Sequence, residues 1–365
     1  MDSTVIDALD RAIADELRAD GRLTWRELGE RVGLGPTATA DRVRRLEAIG
    51  VIRGYRAEVD LSALGVDRAR YTMLCQPDGA VIDDVVVYRL APERFVVVAN
   101  ASNVEVVLAE LTERAAGFDA RVIDMSPDTA LIAVQGPRSL EIVSLVAPGQ
   151  EEVLAGMRYY AGATVRVLGV DAYVSRTGYT GEDGFELYVP HSLAADLWRT
   201  LLDVGASRGL VPAGLAARDS LRLEAGMPLY GNEIDRTTTP FEAGLGRIVR
   251  LDKTDDDGAP LDFVGRAALE GRKGAQPARV LVGLQGLGRR AARSGYPVLA
   301  STQPGAVEVG AVTSGAPSPT LGYPIALAYV TPEVSAEGTE LGVDVRGRAE
   351  PFRVVPYPFY RRPEQ

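Results

Sequence analysis

The sequence predicts a multidomain α+β protein, with three short amphipathic helices followed by a much longer region of mixed strands and helices. Three observations carry this prediction. Apolar residues in the first fifty positions recur every three or four residues, the period of a half-buried helix. From residue 68 the pattern changes to β-branched runs broken by Gly, Pro and Asp, the mark of strands and turns. The length, 365 residues, suits about two to four domains at roughly 100–200 residues each.

In the first region Ile6, Leu9, Ile13 and Leu17 define one helix face. Thr24 and Glu27 fit a capping box, which opens a second helix carrying Trp25, Leu28 and Val32 inward and stopping at Gly33. Pro36 suits the first turn of a third helix, with Val43, Leu46 and Ile49 buried and Gly50 at its end. An extended run over 51–59 follows. Three helices and an extended wing are the grammar of a winged helix-turn-helix. Residues 36–56 hold five arginines against Asp41 and Glu47, in a chain whose net charge is −10. Arginines there can neutralise phosphates while short hydroxyl side chains approach base edges. The other reading of this charge is the exposed helix of a protein-interaction module.

In the second region 68–74, 81–88 and 95–99 read as strands and Val104 to Ala115 as a helix. Asp83 and Asp84 interrupt the apolar run of the middle strand, and a carboxylate in such a place must be paired, hydrogen-bonded or functional. Strand alternation sends the two to opposite faces, so only Asp84 shares a side with Tyr88.

Composition excludes several chemistries. A single histidine, His191, and a single cysteine, Cys75, leave no intramolecular disulfide, no CxxC pair and no two-histidine metal site. His191 follows a proline at what reads as the solvent-facing start of a helix, and Cys75 reads as a small buried residue. The expected chemistry therefore rests on carboxylates, tyrosines, arginines or a borrowed cofactor, with no metal. Gly286 to Ala291 superficially fits a dinucleotide fingerprint, but Gly295-Tyr296-Pro297 interrupts any helix after it. No apolar stretch approaches the ~20 residues of a membrane span, and the acidic N-terminus is unlike a targeting signal, so a cytoplasmic location without membrane contact is expected.

Residues 1–65 resemble the Lrp/AsnC family of transcription regulators, through Leu9-Asp10-Arg11, RVGLGPTATADRVRRLEAIGVIRGYRAEVD and SALG. The resemblance implies DNA binding by the third helix, with Thr37, Thr39, Arg42, Arg44 and Arg45 presented to the duplex. The family's usual ligand-binding domain is not recognisable after it.

The remainder carries DGAVIDDVVVYRL, VVVANA, SRTGYTGEDGFELYVP, GLAARDSLRLEAGMPLYGNEID, TTPFEAGLGRIVRLDK and TSGAPSPTLGYPIALAYV. In this order these resemble the T-protein of the glycine cleavage system, an aminomethyltransferase family that also includes folate-dependent demethylases. The resemblance implies an aminomethyltransferase folate-binding fold: a partial ferredoxin-like αβ region at 66–136, the rest of the α+β folate-binding domain at 137–258, and a C-terminal β-barrel domain at 259–365. It implies tetrahydrofolate as cosubstrate and a lipoyl carrier protein, like the H-protein of glycine cleavage, as partner. Asp84 matches the catalytic aspartate. Tyr71, Tyr88, Asn100, Tyr179, Glu186 and Arg218 match residues of the folate and substrate pocket, and Arg293 matches a carrier-side arginine. The expected activity is transfer of an aminomethyl group to tetrahydrofolate with release of ammonia, alongside a DNA-binding head. The alternative is a regulator that senses folate or one-carbon status without turnover. The T-protein pattern normally has a further segment before the position matched by Arg68. Its replacement implies a pocket short of one wall and a sheet with an uncovered edge.

Overall fold

The structure is a computed structural model that describes residues 6–19, 25–49, 51–52, 66–254 and 260–362. The chain divides into two compact units, 1–65 and 66–365. Thr24, Gly50 and the wing from Arg53 onward lie outside the described residues, as does most of the joining segment.

Unit one contains α1 (Ala8–Ala19), α2 (Trp25–Val32) and α3 (Pro36–Ala48). Asp7 and Asp10 cap α1 reciprocally, each backbone N–H donating to the other's carboxylate at 3.1 and 2.8 Å, so two open donors of the first turn are satisfied. Ile13, Leu17, Leu28, Val43 and Leu46 form the core, with Val32 and Ile49 packed against it. Trp25 departs from expectation. As the first residue of α2 it stands outside the packed face and is 40% exposed. Gly29 explains how closely α2 and α3 approach, since a Cβ there would meet the Leu34 carbonyl oxygen at 2.5 Å and Thr39 Oγ1 at 2.9 Å.

Unit two opens with an antiparallel sheet of β1 (Arg68–Cys75), β2 (Val81–Ala91) and β3 (Arg94–Val98), in the order β1-β2-β3. The α4 helix (Val104–Arg114) follows. A second antiparallel sheet holds β4 (Thr129–Gln135), β5 (Gly162–Val167), β6 (Val170–Ser175) and β7 (Gly184–Pro190), in the order β4-β7-β6-β5. One of its faces packs on α5 (Ser139–Val146) and α7 (Ala194–Ala206) through Ile132, Val134, Val143, Phe185, Leu187, Leu197 and Leu201. The short α6 (Glu151–Gly156) contributes Leu154 to the same core. The expected division at 136 cuts through this sheet, because β4 pairs with β7 along its whole length, from Thr129 opposite Pro190 to Gln135 opposite Gly184.

The C-terminal part is a closed barrel of β8 (Val280–Gly286), β9 (Pro297–Leu299), β10 (Glu308–Pro317), β11 (Pro324–Val330), β12 (Glu340–Asp344) and β13 (Ala349–Val355), in the order β10-β11-β8-β13-β12-β9. The α8 helix (Leu215–Glu224) packs on β10 and β11, and α9 (Arg266–Arg272) precedes the barrel. Arg222 of α8 is fully buried, bonding Glu233 at 2.9 Å and Ser314 of β10 at 2.7 Å. An uncompensated guanidinium would be untenable there; the paired one ties helix to barrel.

Candidate active site

The site is built on the free face of the second sheet. Core residues alternate with pocket-facing ones along each strand, and the register sets Ala133, Glu186 and Ser175 in one row and Leu131, Tyr188 and Tyr173 in the next. Leu131 is 45% exposed, an apolar residue open on this face. Opposite it stands the first sheet. Tyr88 of β2 packs edge-on to Tyr173 and Tyr188 at 5.5 and 5.8 Å between ring centres. Its hydroxyl shares hydrogen bonds with Ser175, Thr177 and Tyr188. Tyr88 is fully buried, which corrects its expected place on the pocket wall: it joins the two sheets from within.

Asp84 is held by two neutral donors, the Tyr71 hydroxyl at 2.8 Å on Oδ2 and the Asn100 amide at 2.8 Å on Oδ1. Burial raises its carboxyl above the usual aspartate range, and those two hydrogen bonds oppose the rise. Glu186 accepts a short hydrogen bond from the Thr177 hydroxyl, and burial raises its carboxyl too, against the pull of Thr177 and the Arg218 charge. Arg218 is exposed at the start of α8 and stands over the Tyr179 ring, 4.5 Å from its centre. The Tyr179 hydroxyl donates to the Pro228 carbonyl in a short contact.

The charges of Asp84 and Glu186 both act on Tyr160, whose hydroxyl is raised mainly by burial. Tyr160 was not singled out in the sequence. Its only signal is the aromatic pair Tyr159-Tyr160, whose rings meet edge-on at 4.9 Å. Tyr160 has φ of 59°, a left-handed conformation that costs a non-glycine residue about 1 kcal/mol or more. Backbone bonds from its N–H to the Arg176 carbonyl and from the Ala69 N–H to its own carbonyl hold it there, between the two sheets.

One other expected residue differs from its assigned part. Both Asn100 amide hydrogens are committed to the paired aspartates, so its nitrogen has none for a folate. Arg293 is exposed on the loop before β9 and donates to the Gly315 carbonyl at 2.9 Å. His191 is exposed at the turn before α7, and Cys75 is buried, as expected. Among the described residues no group of three or more His, Cys, Asp or Glu side chains could hold a metal ion.

In unit one the five nominated DNA-facing residues separate into two sets. Thr39 is fully buried and donates to the Gly35 carbonyl. Arg42 bonds Asp7 at 2.7 Å and Asp10 at 2.8 Å, and Arg45 bonds Asp10 in a shorter contact. Burial of Thr39 corrects its expected presentation to DNA, whereas Arg42 and Arg45 hold α3 to Asp10 and remain partly exposed. Thr37 and Arg44 are exposed, Arg44 beside Asp41 at 3.1 Å.

An aromatic-lined sheet face with two half-buried carboxylates and an open arginine, joined to a six-stranded barrel, defines a small-molecule site in a two-part enzyme architecture. The comparisons identify which one. The GCVT N-terminal domain family matches residues 56–253, and the glycine cleavage T-protein C-terminal barrel domain matches 279–361. The AsnC-type helix-turn-helix domain matches 6–47. An aminomethyltransferase of Streptomyces coelicolor is 56% identical over 299 residues, 81% of this chain and 77% of that protein. One from Streptomyces avermitilis is 51% identical over 339 residues, 92% of this chain and 85% of that protein. The crystal structure of glycine cleavage system aminomethyltransferase T from Bartonella henselae superposes with a TM-score of 0.71 at 35% identity, covering 83% of this chain and 78% of that one. The chain belongs to the glycine cleavage T-protein family of aminomethyltransferases and carries an AsnC-type helix-turn-helix domain at its N-terminal end.

Proposed function

We propose that this protein transfers an aminomethyl group from the lipoyl arm of a carrier protein to tetrahydrofolate, releasing ammonia. The observation that carries the reading is a pair of half-buried carboxylates on facing sheets, Asp84 held by Tyr71 and Asn100 and Glu186 held by Thr177, with Arg218 stacked on the Tyr179 ring. The donor set suits a pterin, which shows an amide N–H beside an exocyclic amine. A single carboxylate such as Glu186 can accept from both. When bound, tetrahydrofolate supplies the nitrogens that capture the one-carbon unit.

The protein's own residues account for the rest. Loss of ammonia develops positive charge at the transferred carbon, and an ionised Asp84, fixed by Tyr71 and Asn100, stabilises it without reorganising. Arg218, resting on Tyr179, is free to turn toward an anionic or carbonyl group of the ligand. Arg293 stands on the barrel as the contact for the carrier, and the reading places the protein in the cytoplasm.

The test is direct. Purified protein with aminomethylated carrier and tetrahydrofolate is expected to release ammonia, and calorimetry is expected to show tetrahydrofolate binding that weakens in Glu186→Ala. Absence of binding in wild type overturns the reading.

The helix-turn-helix unit favours a second reading, a regulator that reports folate status to DNA. Binding of tetrahydrofolate with no ammonia release, together with folate-dependent binding to duplex DNA, would establish it in place of the first.

A further inference from the structure

We propose that Asp83 is a positioning residue of the site, fixing the Asn100 amide against Asp84 and thereby setting the direction in which the Asp84 carboxylate faces the ligand. The proposal rests on the reading of Asp84 as the reacting carboxylate. Strand alternation puts Asp83 on the far side of β2, and it is fully buried. It accepts three N–H donors: the Asn100 backbone at 3.1 Å, the Asn100 side chain at 2.8 Å and the Asn103 side chain at 2.9 Å. Asn100 follows the end of β3 and precedes the 3₁₀ turn 101–103 without a side-chain capping bond, so its side chain can reach past the strand to both faces of β2. Its amide nitrogen lies 2.8 Å from Asp83 Oδ1 and 2.8 Å from Asp84 Oδ1.

One NH₂ group therefore joins two carboxylates that the pleat would keep apart. Its orientation is dictated by charge, because the flipped amide would set its oxygen against both anions. Asp83 thus does two things at once. It holds the Asn100 backbone at the entrance to the turn, and it holds the amide in the one rotation that donates to Asp84. With Tyr71 on Oδ2 and Asn100 on Oδ1, the Asp84 carboxylate plane is fixed from both sides. Asp83→Asn keeps the volume and can leave its oxygen toward the two side-chain amides. It then sets an NH₂ against the Asn100 backbone N–H that Oδ2 accepts and removes the charge, so the turn entrance that carries the Asn100 amide must shift.

The experiment measures tetrahydrofolate affinity by calorimetry and kcat by ammonia release for wild type, Asp83→Asn, Asp84→Asn and the double variant. A misdirected reacting group is worth about 100-fold in rate. Asp83→Asn is expected to lower kcat by about that factor and to change affinity less than threefold. In the Asp84→Asn background the same substitution is expected to add less than a threefold loss, because the group it acts through is already gone. A loss that multiplies fully in the double variant, or one that falls on affinity alone, overturns the proposal. Asn103→Ala, which removes one anchor of Asp83 and leaves Asp84 untouched, is expected to give a smaller loss of kcat of the same kind. The crystal structure of Asp83→Asn reads the geometry without turnover. An Asn100–Asp84 contact unchanged from wild type overturns the proposal, whereas a wild type that neither binds nor turns over tetrahydrofolate overturns only the functional reading.

Discussion

Asp10 in the helical unit is fully buried and Asp84 in the sheet unit is half-buried, and they are treated in opposite ways. Asp10 is fully buried beneath two guanidiniums, Arg42 and Arg45. Burial pushes its carboxyl up, but Arg45, the Asp7 backbone N–H and Arg42 outweigh this and hold it at about 2. Asp84 has only a phenol and an amide as partners, and burial prevails. Two arginines make a carboxylate into a helix clasp. Neutral donors leave its charge available to something outside the protein. The pairing of a buried charge, more than its burial, separates structure from chemistry.

The largest test of that contrast is Asp84→Asn. Loss of an oriented anion at the reacting centre is expected to lower kcat by about 10³-fold while tetrahydrofolate affinity stays within a few fold. The wild-type pH profile carries the same information. Because the folded carboxyl is raised above the ordinary 3.8, the anion is lost early as pH falls, and the acid limb of kcat should have its midpoint above that value. Glu186→Ala comes next. It is expected to weaken tetrahydrofolate binding by about 100-fold, through loss of a charged two-donor contact, with ammonia release recovered at saturating ligand.

Asp10→Asn breaks the other side of the comparison. It should destabilise unit one by about 2–3 kcal/mol, seen as faster amide hydrogen exchange in α1 and α3, with the second sheet unaffected. Asp10 is depressed, so its contribution is present above pH 3.8 and is lost as pH falls through about 2. The smallest effect is at Arg44, exposed beside Asp41. Arg44→Ala is expected to reduce the salt slope of duplex binding by about one and to weaken it only a few fold. A slope unchanged by the substitution would remove Arg44 from the phosphate contacts.

Much of this contrast is legible in the sequence. The strands around Asp84, the α4 helix and the helical face of Ile13 and Leu17 follow from apolar period alone, since burial on one side of an element leaves a period in the chain. Partnership leaves no such trace. Arg42 and Arg45 read as a basic surface because their partner, Asp10, is more than thirty positions away and helical packing alone joins them. Trp25 read as core because large aromatics usually are, yet its place at the first turn of an eight-residue helix points it outward. Alternation puts Asp83 on the face away from Tyr88, and that rule about strands says nothing of an asparagine arriving from beyond the strand's end. Tyr160 carried no period at all, because its position depends on a left-handed backbone between two sheets.

The barrel has a bearing on how the protein behaves when warmed. A ring of six strands has neither a first nor a last member, so every ladder in it is occupied by its own neighbours. The three- and four-stranded sheets do have outer members, and β4, Thr129 to Gln135, carries no charge and no proline to discourage a newcomer. Clouding on storage should therefore begin at those sheets, and a lysine introduced at exposed Leu131 should delay it while leaving the barrel's own melting unchanged.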